Sequence, residues 1–395
     1  MKCIYFSIPV YSRMKTNLSL VKAMVDNGYE VYYYGDNKYR DIVEESGASF
    51  IPYKTDLKPY LKQEVADDGL NNVLKTKFKI DDMMYNEALA SIEEITPSFI
   101  MHDGMAAFGK HAAFSKNVKA VSTSYTMIPR LISFLTNRAL IRNTIHSFLK
   151  SPFETLKVLR ESRRYKKKYG LKQNPLTDPF VSEEDLNIVF LPEFFQPQRN
   201  LLGEKYFFTK PIIEENTVVD ADIEFINDKP LVYVCLGTMS GDCKKETEAI
   251  IKILLKRDVN ILLSKGRGAG IDIPENEKLI IRDFVNQENV LKSASLFINH
   301  GGMHSVYESI WYKVPQICIP NQTEQESNAR TVQKIKCGVY VKKLDEKKLE
   351  KTVDMILSGN AKFDIVKRSN EMKNGAPLAD AIKRMETYLE GVKLL

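Results

Sequence analysis

The chain has no apolar run approaching the roughly 20 residues needed to cross a bilayer, so a helical membrane span is not expected. Cysteine is scarce and scattered. Cys3, Cys235, Cys243, Cys318 and Cys337 form no CxxC pair, which argues against a disulfide framework or a zinc site. They read as small, mostly strand-borne core residues in a reducing cytoplasm. The opening stretch MKCIYFSIPVYSR lacks a small-residue cleavage site and runs on into a helix, so no signal peptide is expected. No DxD-like acidic pair stands near a strand end in the second half, and no metal is expected there. GRGAG at 266–270 lacks the spacing of a dinucleotide fingerprint and reads as a loop. A uniform basic coat is missing too. The net charge is +6, but residues 130–172 hold twelve Lys/Arg against Glu154 and Glu161, so the remainder is acidic. A single local patch of this kind does not point to nucleic acid.

What is present is ordinary globular composition, 44% hydrophobic and 27% charged, over 395 residues, enough for two domains. Strand and helix signals alternate from the start. KCIYFSIP is followed by a helix that carries Leu18, Leu20, Val21, Met24 and Val25 and stops at Gly28. VYYYG, SFIMHD, KAVSTSY and NIVFLP are further strands. The pattern restarts at PLVYVCLGT (230–238) and continues through NILLSKG, KLIIRDF, LFINHGG and PQICIP, with no convincing internal repeat. Such alternation predicts α/β architecture with two Rossmann-like, doubly wound parallel sheets. The expected boundaries are 1–208 for the first domain, 209–227 for a linker and 228–375 for the second domain. A C-terminal helix at 376–395 is expected to pack back on the first domain. Ligands in such sheets bind beyond the strand carboxyl ends, so a cleft between the two domains is the expected site.

NHGGMHSVYES (299–309) places His-Gly-Gly directly after an apolar strand and before a helix. A tight turn alone would explain the glycines. A strand-to-helix turn is also a phosphate site, because its free N–H groups meet the positive end of a helix dipole. Gly301, Gly302 and Ser305 would supply N–H groups, and His300 a ring donor. Glu308 lies one turn after Ser305 on the same face, placed for paired hydroxyls. Other segments gather toward the same ligand. LGT offers a second glycine turn with Thr238. RDFVNQENVL offers Phe284 and Gln287 for a nucleobase. IPNQTEQESNA offers Glu324, Gln325 and Asn328, read as a loop suited to a polyhydroxylated ligand.

In this order the motifs resemble the GT-B glycosyltransferases of family 1, the UDP-glycosyltransferase superfamily, most of all its bacterial macrolide-glycosyltransferase branch. The resemblance covers essentially the whole chain and is strongest over 280–340, where FVNQ-x8-LFINHGGMHSVYESIWYKVPQICIPNQTEQESNA reads like the family's donor signature. It implies a GT-B fold and inverting, metal-independent transfer of a hexose, with glucose as the default, from a UDP-sugar co-substrate to a small acceptor. No further cofactor is implied. By the same resemblance His300, Gly302, Ser305 and Thr238 line the pyrophosphate. Glu308 binds the ribose, Gln287 and the backbone beside Phe284 hold uracil, and Glu324 and Gln325 bind the sugar. Asn286 stands where the family usually has proline, and His304 where it often has asparagine or glycine. An acid at 308 favours UDP over dTDP.

The departure that matters is at the first loop. The family's catalytic histidine is replaced by Arg13, while FIMHDGM retains its aspartate partner as Asp103. Arginine stays protonated and cannot be a general base. Three readings follow: an acceptor that is already an anion, with Arg13 placing it and free to pair with Asp103; another base, Asp103 itself or, less well, His102 or His111; or a protein that binds a nucleotide sugar and transfers nothing. A nucleotide-sugar epimerase or hydrolase is a further alternative. The acceptor pocket is expected from residues 55–90 and 125–165, with Tyr60, Phe78, Met83, Met84, Tyr85, Tyr125 and Phe134, hence an apolar or aromatic pocket; an acidic acceptor is expected from Arg13 instead. The basic stretch 130–172 reads as a solvated surface, a transient membrane-surface contact or a patch that steers an acidic acceptor.

Overall fold

The computed structural model describes residues 1–9, 11–57, 70–128, 151–170, 183–213, 223, 225, 227–237, 243–266, 270–342 and 344–391. The chain divides into two compact units, Met1–Ile212 with Gly375–Leu395, and Ile213–Asn374.

The first unit runs β1 (Lys2–Phe6), α1 (Tyr11–Asp26), β2 (Glu30–Gly35), α2 (Arg40–Glu44), β3 (Ser49–Pro52), α3 (Leu70–Ile95), β4 (Phe99–Asp103), α4 (Ala107–Ser115), β5 (Ala120–Ser124), α5 (Pro152–Lys168), β6 (Leu186–Val189) and β7 (Tyr206–Phe208). Its strands pair in parallel in the order β3-β2-β1-β4-β5-β6-β7. Both faces are covered, as a parallel sheet requires. Successive residues point to opposite faces. Tyr5, Tyr33, Phe99 and Met101 pack on one side with Leu20, Val21 and Met24 of α1. Ile4, Phe6, Tyr34 and Ile100 pack on the other with Ile80, Met84 and Ile92 of α3 and Phe108 of α4. Gly28 ends α1 at φ +82°, its N–H donating to the Val25 carbonyl at 2.9 Å.

The second unit runs β8 (Leu231–Cys235), α6 (Lys244–Leu255), β9 (Asn260–Ser264), β10 (Leu279–Arg282), α7 (Gln287–Ser293), β11 (Ala294–Asn299), α8 (Met303–Trp311), β12 (Gln316–Cys318), α9 (Thr323–Lys334), β13 (Gly338–Tyr340), α10 (Glu346–Leu357) and α11 (Ile365–Lys373). Its parallel order is β10-β9-β8-β11-β12-β13. Val232, Val234, Ile261 and Ile298 face α6 and α10, while Tyr233, Leu262 and Phe297 form the opposite core with Val290 and Leu291 of α7.

The two doubly wound sheets are therefore present. In each, strand order reverses beside the first strand, between β1 and β4 and between β8 and β11. Those are the switch points at which such sheets bind ligands. The sequence reading passed over β3, β7 and β13. All three are edge strands, of only four, three and three residues, too short to show a period.

A last helix, α12 (Leu378–Leu389), belongs to the first unit. Ala381, Ile382 and Met385 are buried in the core built on β1, β2 and α1. Lys119 Nζ donates to the carbonyls of Tyr388 (3.1 Å) and Leu389 (2.7 Å), a cation on the negative end of the helix. Met385 is fully buried. Met385→Ala is expected to cost about 2–5 kcal/mol through the cavity it leaves, read as a lower denaturant midpoint of the full chain.

Candidate active site

The His-Gly-Gly turn leaves β11 and enters α8. Gly301 has φ +83°, and a Cβ there would also sit 2.8 Å from the Gln325 carbonyl oxygen, so both conformation and space demand glycine. The His300 ring lies over Gly302, where a Cβ would be 2.5 Å from Nε2. Side-chain amides hold the turn from behind. The Gly301 N–H donates to Asn299 Oδ1 (2.7 Å), Asn299 Nδ2 to Gln316 Oε1 (3.0 Å) and Gln316 Nε2 to the Val306 carbonyl (3.2 Å). Asn328 Nδ2 donates to the Gly301 carbonyl (3.0 Å). Gly301 therefore does not offer the phosphate N–H read from the sequence, because Asn299 has taken it. The first-turn N–H groups of α8 have no carbonyl within the helix to donate to, and a helix start of this kind suits an anion. Burial lowers the His300 imidazole below the usual histidine range, more than its contact with the Cys235 backbone raises it.

Three residues singled out separately in the sequence meet here. Gln287, at the start of α7, donates from Nε2 to Ser305 Oγ (3.3 Å) and to the Glu308 carboxylate, while its Oε1 accepts from the Tyr233 hydroxyl (3.3 Å). The amide read as a base reader is thus bonded to the groups read for phosphate and ribose. Phe284, between β10 and α7, is 51% exposed. Asn286 caps α7, its side chain accepting from the Asn289 N–H (3.4 Å). A helix cap is a physical reason for asparagine at that position. His304 packs against Tyr307, ring centroids 5.2 Å apart.

The segment read as a sugar loop is helical. Glu324, Gln325 and Asn328 all lie in α9, whose start is fixed by a capping box between Gln322 and Gln325. Gln325 Oε1 accepts from the N–H groups of Asn321 (3.0 Å) and Gln322 (3.2 Å), so its side chain serves its own helix. Glu324 is exposed in the first turn. Thr238 lies outside the described residues, next to Gly237 at φ +95°.

In the first unit, Asp103 ends β4 and is fully buried. Its Oδ2 accepts from the Ile8 N–H (2.7 Å) and Ser7 Oγ (3.1 Å), and its Oδ1 from the Met105 N–H (2.7 Å). The carboxylate pins the loop after β1 to the turn after β4. Behind it, Asn17 Nδ2 donates to Ser7 Oγ (3.1 Å), and Asn17 Oδ1 accepts from the hydroxyls of Tyr5 and Tyr125. Arg13 falls in the first turn of α1, and its side chain lies outside the described residues. His102 is buried on the opposite face, with Nε2 3.1 Å from Glu184 Oε1. His111 is buried with Nδ1 3.2 Å from the Tyr165 hydroxyl, its ring stacked on Tyr169. Of the expected acceptor residues, Tyr60 and Phe134 lie outside the described residues, and Phe78, Met84 and Tyr125 are core. Among the described residues no three His, Cys, Asp or Glu side chains gather as a metal site, and no helix is long and apolar enough to cross a membrane.

Residues 247–385 match the family model described as the glycosyltransferase family 28 C-terminal domain. Along nearly its whole length the chain is 27% identical to the NDP-glycosyltransferase YjiC of Bacillus subtilis (strain 168), covering 97% of this chain and 95% of that protein. The chain is similar to glycosyltransferases along nearly its whole length, and its fold is GT-B. Among solved structures, the glycotransferase of kitacinnamycin superposes with a TM-score of 0.82 at 20% identity, over 98% of this chain and 99% of that one. CalG4, the calicheamicin glycosyltransferase, gives 0.79 at 18% identity over 99% and 98%.

Sequence reasoning missed Tyr233, Asn299, Ser7 and Asn17. For Tyr233, Asn299 and Ser7 the available signal was a polar or hydroxylated side chain within or just beyond an otherwise apolar strand, as in LVYVC and LFIN; Asn17, inside α1, had none. Gly301→Ala is expected to destabilise the enzyme by roughly 1–3 kcal/mol, from φ strain and the Gln325 carbonyl together. Chemical denaturation of the two proteins side by side measures it.

Proposed function

We propose that the enzyme transfers a hexose, by default glucose, from a UDP-sugar to a small natural-product acceptor, with inversion and without a metal ion. The observation that carries this reading is the meeting of Gln287, Ser305 and Glu308 beside the His-Gly-Gly turn. Along α8 the helix start offers N–H groups and a positive dipole end to a diphosphate, and one turn on a carboxylate faces a diol. The family resemblance assigns the donor to the second unit and the acceptor to the first. In the reaction the anomeric C–O bond to phosphate breaks, and its electron pair leaves with UDP. The acceptor oxygen forms the new bond from the opposite face. The first-turn N–H groups of α8 and His300 stabilise the departing charge in preorganised form.

An acceptor that arrives as an anion fits the first unit best. Arg13 replaces the family's base, and both oxygens of Asp103 are occupied. Names among the relatives, kitacinnamycin and calicheamicin, support a natural-product acceptor, as in antibiotic biosynthesis. The described part of the basic stretch, α5, exposes Phe153 (79%) and Leu156 (47%) beside Arg160, Arg163, Arg164 and Lys167. That face suits steering of an acidic acceptor or a transient touch on an anionic membrane surface. The buried free thiols of Cys3, Cys235, Cys318 and Cys337 support a cytoplasmic setting.

Titration calorimetry with UDP and dTDP is the first test. Micromolar binding of UDP, weaker for dTDP, is expected; binding of neither would put a non-catalytic auxiliary role first. Conversion of the UDP-sugar without any acceptor would favour an epimerase or hydrolase. Arg13→His is expected to raise turnover on neutral alcohols by an order of magnitude or more, within the range of general-base catalysis, while acidic phenols gain little. Binding should also depend on pH. Burial holds free His300 below about 6.5, and a bound diphosphate favours its imidazolium and raises it. Between those two values UDP binding takes up a proton, so affinity rises as pH falls through that window. Calorimetry in buffers of different ionisation enthalpy should detect the uptake, and His300→Asn should abolish it.

A further inference from the structure

Tyr233 is 1% exposed in the middle of β8. Its ring stacks on Phe297, the residue opposite it on β11, with centroids 4.7 Å apart and planes 10° from parallel. That stack fixes where the hydroxyl points. It donates to Gln287 Oε1 at 3.3 Å. Burial, ahead of the nearby Cys235 and Glu308, raises the phenol well above its ordinary range, so it keeps its proton. An amide has two ends of opposite polarity. Once its oxygen is held by a donor, its NH2 group must face the other way, here toward Ser305 and the Glu308 carboxylate. A rotated amide would instead aim its oxygen at a carboxylate and its NH2 at a hydroxyl donor. One buried hydroxyl therefore decides how a carboxylate on a different helix is held.

We propose that Tyr233 is a positioning residue that sets ribose recognition: through the Gln287 amide it fixes the Glu308 carboxylate, and thereby the preference for a ribonucleotide over its 2′-deoxy counterpart. The inference rests on the donor-site reading given above, in which Glu308 meets the ribose diol. Tyr233 does so without reaching the ligand.

The test is calorimetric titration of the full chain with UDP and with 2′-deoxy-UDP. The wild-type protein should prefer UDP. Tyr233→Phe keeps the ring and its stack on Phe297 but removes the donor. It should weaken UDP by roughly fivefold, the worth of one hydrogen bond, and weaken 2′-deoxy-UDP clearly less, since that nucleotide keeps only the 3′-hydroxyl. Gln287→Leu should reproduce the pattern from the other end of the relay, and Glu308→Gln should erase the preference. Equal weakening of both nucleotides by Tyr233→Phe would mean packing alone, and an undiminished preference would mean no relay; either overturns the proposal. A wild-type protein that binds both nucleotides equally overturns it while leaving the nucleotide site standing. One that binds neither removes the donor-site reading itself.

Discussion

Asn299 spends its whole side chain on the backbone and the neighbouring strand before any ligand arrives. Its Oδ1 takes the Gly301 N–H and its Nδ2 meets Gln316, which in turn holds the Val306 carbonyl inside α8. All of this is buried, where an unmade hydrogen bond costs about 1–3 kcal/mol. The left-handed Gly301 is kept in place by these bonds, and with it the direction in which α8 begins. The turn is thus rigid from behind and leaves the helix start as its polar front. A site built this way loses little order on binding and reorients few dipoles during reaction, which is what preorganisation means in energetic terms.

Asp103 plays a comparable part at the switch point of the first sheet. A buried carboxylate accepts from Ile8, Ser7 and Met105, and Ser7 is tied through Asn17 to Tyr5 and Tyr125. To take a proton from an acceptor, that carboxylate would have to give up one of these donors, two of them backbone N–H groups that shape the loops on which the site depends. An aspartate at 103 is therefore explained by architecture, whatever the acceptor.

The sequence carried the fold because the strands that matter are long, apolar and fully buried, and because glycines mark the turns between strand and helix. The candidate polar groups Gln287, Ser305 and Glu308 could be picked out for a similar reason, as polar side chains in fixed order beside strand ends. What was not legible was lateral. Tyr233 and Gln287 are 54 residues apart, and Gln287 and Glu308 are 21 apart. No periodicity links residues whose contact depends on strands brought together by crossovers. Gln325 illustrates a different failure. A polar residue two places into a helix reads like a ligand group, and only the helix start itself, with Gln322 opposite, shows that its oxygen is already spoken for. Edge strands of three or four residues were lost simply because they are shorter than any pattern.

The polarity of α8 gives the strongest internal argument for the kind of ligand the second unit holds. A bare anion site needs only a helix start and gains nothing from an acid one turn further along, since a carboxylate there repels phosphate. This helix nevertheless carries Glu308, and the structure sets the Gln287 NH2 group against both it and Ser305. The amide moderates the carboxylate's charge on the side facing the helix start, while the carboxylate keeps its capacity to accept from hydroxyls. Positive, hydroxylic and negative groups follow one another along a single helical face, at a rise of about 1.5 Å per residue. A nucleoside diphosphate presents the complementary order, with charge at one end and a pair of hydroxyl donors further along. Free phosphate presents only the first of these, and a neutral sugar only the last.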